Sequence, residues 1–145
     1  MSKPTILFTV EGYAALSTKL AKLQAYREEV LPRLQRAREM GDLSENGAYK
    51  AARFELSDTD REIRHLTRLI KYGRRVKPKN NDQASLGSHL TLLKPDQTKA
   101  NYQLVGTYEA DPLKGKISIE SPVGQALIGK SVNAKVLGFT ILAIS

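Results

Sequence analysis

The first half of the chain repeats its apolar residues at alternating steps of three and four. Tyr13, Leu16, Leu20, Leu23, Arg27, Val30, Leu34 and Ala37 form one such series, and Ala52, Leu56, Thr59, Ile63, Leu66 and Ile70 form another. This is the spacing of a coiled-coil seam, in which every third or fourth side chain returns to the same helix face. The break between the two series, Gly41-Asp-Leu-Ser-Glu-Asn-Gly47, is too short for anything but an antiparallel return. Two helices of about 28 residues, each roughly 42 Å long at about 1.5 Å per residue, are therefore predicted. Arg27 has to snorkel out of the seam, Pro32 removes a helical hydrogen bond and is expected to kink the first helix, and Thr59 is a milder defect.

From residue 88 the period changes to two. His89-Leu-Thr-Leu-Leu, Tyr102-Gln-Leu-Val, Lys116-Ile-Ser-Ile and Phe139-Thr-Ile-Leu-Ala-Ile read as short strands. Ser121-Pro122 is a helix start, an N-cap followed by proline at the first helical position, leading into Val123–Ile128. The polar, breaker-rich segment before the strands reads as a linker. The fold class predicted is α+β. An antiparallel coiled-coil hairpin occupies residues 1–76, a linker residues 77–87, and a small α+β domain residues 88–145.

Charge changes this picture because it is uneven. Residues 1–79 carry 17 Lys and Arg against 10 Asp and Glu, whereas residues 80–145 carry 6 against 5. An anionic partner, if there is one, therefore meets the hairpin. The chain has no cysteine, which excludes disulfides and thiolate metal sites. No apolar run is long enough to span a membrane, and the N-terminal apolar stretch is too short for a signal peptide, so a soluble cytoplasmic protein is expected. His65 and His89 do not stand in a pattern of acidic or histidine residues at metal-ligand spacing and are expected at the surface. The Tyr102 region and Leu127-Ile128 are expected in the core.

The hairpin tip admits two readings. Turns collect Gly, Asp, Asn and Ser for conformational reasons, so Asp42 or Ser44 can be the N-cap of the second helix and Glu45 a first-turn acid facing the helix dipole. Alternatively, Asp42 and Glu45 converge, and two carboxylates are what Mg²⁺ accepts from a protein while keeping several waters. Arg36, Arg38, Lys50 and Arg53 flank the tip on both helices. They are either a solvated helix face or a phosphate-binding patch.

The segment Ala37-Arg-Glu-Met-Gly-Asp-Leu-Ser-Glu-Asn-Gly-Ala-Tyr-Lys-Ala-Ala-Arg53 resembles the tip signature of the Gre transcript-cleavage factors. Tyr102-Gln-Leu-Val-Gly106, Glu109-Ala-Asp111, Gly115-Lys-Ile-Ser118 and Ser121-Pro-Val-Gly-Gln-Ala-Leu-Ile-Gly-Lys130 resemble their C-terminal domain, in the same order. The resemblance implies an FKBP-like C-terminal domain that docks on bacterial RNA polymerase, and a coiled coil that enters its secondary channel. It also implies an accessory factor rather than an enzyme, with Asp42 and Glu45 helping to hold the second Mg²⁺ of the polymerase active site while a backtracked transcript is cut. Ser44 and Tyr49 match supporting tip positions, and Arg38 and Arg53 match basic positions that would meet the nascent RNA 3′ end. A monomer is expected, with no metal of its own.

The chain departs from the family pattern in three places. Ala48 stands where an acid is common, Pro32 lies four residues later than the usual proline, and only Leu-Gly separates Val136 from Phe139 where a longer hairpin is usual. The shortened hairpin trims the sheet edge and is expected to weaken docking or alter its angle. Nothing in the sequence supports prolyl isomerisation, since there is no tryptophan to floor such a pocket. Two rival functions stand beside transcript cleavage: a Gre-like regulator that occupies the channel without promoting cleavage, and a coiled-coil binder of free RNA or DNA.

Overall fold

The computed structural model describes residues 5–41, 45–79 and 82–145. Its elements in chain order are β1 (Ile6–Phe8), α1 (Val10–Arg38), α2 (Gly47–Tyr72), β2 (Gly73–Arg75), β3 (His89–Leu93), β4 (Lys99–Val105), β5 (Lys116–Ser118), α3 (Pro122–Leu127), β6 (Lys135–Val136) and β7 (Phe139–Ile144). Short 3-10 turns at Thr107–Glu109 and Pro112–Lys114 join β4 to β5. Among the described residues no helix is long and apolar enough to cross a membrane.

The chain divides into two compact units, one of residues 14–72 and one of residues 1–13 with 73–145. This is not the division at residues 76 and 88 that the sequence suggested. The reason is β1, which pairs in parallel with β2 in the register Ile6 to Gly73 and Phe8 to Arg75. The N-terminal strand and the first turn of α1 thereby belong with the C-terminal residues. The presumed linker is also partly core, because Ala84 and Leu86 are buried.

The hairpin unit follows the heptad reading except in the last turn of α2, where Leu69 is buried and Ile70, the expected seam residue, is half-buried. Leu16, Val30, Leu34 and Ala37 of α1 and Ala52, Thr59, Leu66 and Leu69 of α2 are buried. Cross-links fix the antiparallel sense, since Arg33 meets Glu55 at 2.8 Å and Arg27 meets Asp60 at 2.7 Å. Arg27 therefore leaves the seam toward a carboxylate, as its half-buried position requires. The Asp60 hydrogen bond, reinforced by the Asp60 charge, raises the Arg27 pKa above its ordinary value. Thr59 stays inside by donating its hydroxyl to the Glu55 carbonyl at 2.7 Å, which satisfies it locally. Helix α1 runs through Pro32 without interruption.

The other unit holds a five-stranded sheet in the order β5-β4-β3-β7-β6. Strands β3 and β4 are antiparallel, as are β3 and β7, while β4 and β5 are parallel. Its core gathers Ala84, Leu90, Leu92, Leu104, Leu127, Val136 and Ile141. Fully burying each large aliphatic side chain contributes about 1.5–3 kcal/mol. Ser121 caps α3 by accepting from the Gly124 amide at 3.1 Å, as its place before proline predicted. A Cβ on Gly124 would lie 1.9 Å from the Ser118 carbonyl oxygen, so the helix can approach β5 only with glycine there. The β6–β7 connection is Leu137-Gly138, both at positive φ (51° and 84°), the conformation of a tight two-residue hairpin turn. Ile128 is not core: it is 39% exposed at the mouth of an apolar recess of about 420 Å³ shared with Val76, Leu86 and Ile119.

Candidate nucleic-acid and metal-facing tip

The tip is built on one asparagine. Helix α1 ends in the basic pair Arg36 and Arg38, whose charge complements the negative end of the helix dipole. Gly41 follows at φ 109°, a backbone conformation that glycine adopts without cost. Asn46 then works in both directions. Its side-chain oxygen accepts from the Tyr49 amide at 3.1 Å, which makes it the N-cap of α2. Its side-chain amide donates to the Ala37 carbonyl at 2.7 Å, a second donor to an oxygen at the end of α1 that also accepts from the Met40 amide at 3.2 Å.

This corrects the turn reading. The cap of α2 is Asn46, not Asp42 or Ser44, and Glu45 lies before the cap rather than in the first helical turn. Asp42 and Ser44 fall outside the described residues. Glu45 is exposed, and none of the ion pairs among the described residues involves it. Tyr49 is half-buried, and the Arg38 guanidinium lies 6.0 Å from its ring centroid, at the outer limit of a cation–π contact.

Arg36, Arg38, Lys50 and Arg53 are all exposed, and the ion pairs among the described residues leave them out. Arg33, one turn further from the tip, differs. It donates to Glu55 and to the Tyr26 hydroxyl, and the Tyr26 hydrogen bond, with the nearby Glu55 charge, raises its pKa. Between the helices near the tip lies a groove of about 320 Å³, floored by Ala37, Ala48, Ala51 and Ala52 and edged by Arg33 and Arg36. Ala48 is thus part of a lining of small residues. His65 and His89 are exposed, as expected. No group of three or more His, Cys, Asp or Glu side chains gathers at metal-binding spacing among the described residues.

Comparison with known proteins decides what this tip belongs to. The N-terminal domain profile of the transcription elongation factors matches residues 6–74, and the GreA/GreB C-terminal domain profile matches residues 78–137. The chain is 41% identical over 135 residues to the transcription elongation factor GreA of Lactococcus lactis subsp. cremoris, covering 88% of this chain and 85% of that one. The chain belongs to the GreA/GreB transcription elongation factor family. Relatives in the family are spread widely: GreA of Novosphingobium aromaticivorans is 37% identical, with 87% of this chain and 81% of that one covered. Among solved structures, that of the transcription factor Gfh1 aligns over 99% of both chains, with a TM-score of 0.51 and 25% identity. The GreA/GreB helical hairpin and α+β sheet domain expected from the sequence are thus both present, and the chain is a transcription elongation factor.

Sequence reasoning missed Asn46 as the organising residue of this GreA/GreB tip, although an asparagine directly before the glycine that opens α2 was a visible cap signal. It also missed the Arg33–Glu55–Tyr26 network, whose signal was an acid and an aromatic facing each other across the seam.

Proposed function

We propose that this elongation factor stimulates hydrolytic cleavage of backtracked transcripts by bacterial RNA polymerase, carrying Asp42 and Glu45 on the hairpin tip through the secondary channel. The observation that carries the reading is Glu45. It is an exposed carboxylate, without an ion pair among the described residues, placed just ahead of a cap that is already filled by Asn46. Since Asn46 caps the helix, capping does not account for the acid. The factor is an accessory and a monomer, acting where the polymerase acts, in the cytoplasm.

The donor chemistry fits a hard cation, because carboxylate oxygens are what Mg²⁺ prefers. Two carboxylates fill only part of its shell, and the described residues gather no larger cluster, so the polymerase has to complete the site. Asp42 and Glu45 are the residues that would hold it. When bound, the second Mg²⁺ supplies an activated water and charge stabilisation for phosphodiester hydrolysis. The chain's other residues do the positioning. Asn46 closes the turn, Ser44 and Tyr49 support it, and Arg36, Arg38, Lys50 and Arg53 bind phosphates of the extruded RNA 3′ end. An exposed tip neither excludes water nor fixes a substrate by itself, which supports the accessory role.

The test is transcript cleavage on stalled polymerase with Asp42→Asn and Glu45→Gln. Both changes keep size and remove charge, and neither touches the cap. Each is expected to lower factor-dependent cleavage at least roughly tenfold, equivalent to about 1.4 kcal/mol in the barrier, with raised Mg²⁺ recovering part of the loss. Thermal unfolding and polymerase binding should stay as they are. Normal cleavage by the double variant would reduce the acids to turn formers. One feature favours a second reading, a regulator that occupies the channel without promoting cleavage: the two-residue β6–β7 turn leaves a short sheet edge. Absence of cleavage by the unaltered factor, together with competition for the channel, would decide for it.

A further inference from the structure

The N-terminal turn of α1 is closed by a residue a hundred positions away. Thr9 precedes the helix, is 3% exposed, and accepts from the Gly12 amide at 3.0 Å, the bond of an N-cap to the third helical residue. In a capping box the side chain of that third residue, usually glutamate, reaches back to the cap's own amide. Here the third residue is Gly12 and has no side chain. Glu109 supplies the missing carboxylate instead. It accepts from the Thr9 amide at 2.9 Å and from the Thr9 hydroxyl. A Cβ on Gly12 would lie 1.6 Å from Glu109 Oε1, so the glycine vacates the space that the carboxylate fills.

The same carboxylate also accepts from the Gly106 amide at 2.9 Å, closing the 3-10 turn on which Glu109 itself sits. A Cβ on Gly106 would meet the Leu7 carbonyl oxygen at 1.9 Å, so a second glycine is required for the two backbones to lie this close. Around the clasp, Phe8 is 1% exposed and lies against the rings of Tyr108 and Tyr13, with centroids 6.4 Å and 6.0 Å away. One buried aromatic, two glycines and one shared carboxylate thus fix residues 8–13 to the turn after β4. Helix α1 continues unbroken from this turn to Arg38. Whatever holds its base also holds the start of the rod that ends at the tip.

We propose that Glu109 is a positioning residue for delivery of the tip acids: it anchors the base of α1 to the C-terminal unit, and losing this anchor misplaces the tip without preventing docking. The inference rests on the cleavage reading given above. Gly12→Ala offers a direct test, because alanine is the better helix former yet occupies the carboxylate's place. A residue that merely stabilised α1 would gain from the change, whereas the clasp must open. At saturating factor, Gly12→Ala and Glu109→Ala should each lower cleavage at least fivefold, with the factor concentration for half-maximal effect moved less than twofold. The double variant should be no worse than Glu109→Ala, since both changes remove one contact. Glu109→Gln retains an amide oxygen as acceptor and should fall between.

A second readout does not depend on cleavage. The chain has no cysteine, so Arg64→Cys and Lys135→Cys, both at exposed positions, can carry a unique pair of spin labels on the full chain. The distance distribution between them should broaden in Gly12→Ala and in Glu109→Ala. If it stayed unchanged, or if it broadened while cleavage held at its normal level, the positioning role would be wrong. An unaltered factor that does not cleave would instead sink the cleavage reading, and the label distances would still decide whether the clasp holds the base of α1.

Discussion

A glutamate lies near each end of α1, and the two are placed in opposite circumstances. At the base, Glu109 is wrapped by two backbone amides and a hydroxyl, so its charge is spent on neighbouring donors. Past the other end, Glu45 is exposed, and the cap that an acid might have filled belongs to Asn46. Where three donors converge on one carboxylate, it holds structure together and has little left for a ligand. Where another residue fills the helix cap, the carboxylate stays available. The two surroundings differ in the same way: the base is built on a buried phenylalanine and backbone approaches that only glycine allows, the tip on alanines and exposed cations.

This contrast can be broken from the structural side first, where the effect is largest. Leu92 is fully buried in the sheet core, so Leu92→Ala should cost about 2–5 kcal/mol of stability by chemical denaturation. The same measurement on Glu45→Gln should move stability by no more than about 0.5 kcal/mol, the range of surface changes without partners. A comparable loss at Glu45 would mean that the tip acid is structural after all. Asn46→Ala comes next and should cost about 0.5–2 kcal/mol, the value of an N-cap, with hydrogen exchange accelerating first at the Tyr49 amide. Protection of that amide in the variant would show that the turn is held by something other than Asn46.

The smallest effect concerns the cations. Arg38→Glu with Arg53→Glu should leave stability nearly unchanged and flatten the salt dependence of cleavage on long extruded transcripts, because two phosphate contacts are lost. An equal salt slope before and after would leave the basic residues as a solvated helix face. For Arg38 the comparison is sharpened by its ring contact with Tyr49, which Arg53 does not share among the aromatic contacts of the described residues.

Long periodic elements were legible in the sequence because periodicity is a statement about many residues at once. The heptad seam up to Leu66, the strands His89–Leu93 and Phe139–Ile144 and the start of α3 all stand where the pattern placed them. Elements without a period were not legible. Strand β2 is Gly73-Arg74-Arg75, polar throughout, and only its pairing with β1 makes it a strand. Ala84 and Leu86 sit among polar breakers and read as linker, yet both are buried, and Ala84 is held by backbone hydrogen bonds with Gly129 and Lys130. At the tip, the residue types signalled a turn and a metal-facing pair, and several of them were cap formers, so that only the contact with the Tyr49 amide singles out Asn46. The Glu109 clasp left no local signal at all. Its logic is a missing side chain at Gly12 filled from position 109, and neither residue is unusual where it stands.

The parallel pairing of β1 with β2 has a consequence for how the chain assembles during synthesis. Strand β1 leaves the ribosome early, and its partner follows only after both hairpin helices have been made. Closing a flexible loop of that length would cost about 3–4 kcal/mol in chain entropy, by the logarithmic dependence on length. An antiparallel hairpin needs only contacts between its own neighbouring helices, so it can form first and return the chain to its starting point. The two three-residue strands, too short to find each other unaided, then meet as ends already brought together. The hairpin would serve first as the splint that brings β1 and β2 together.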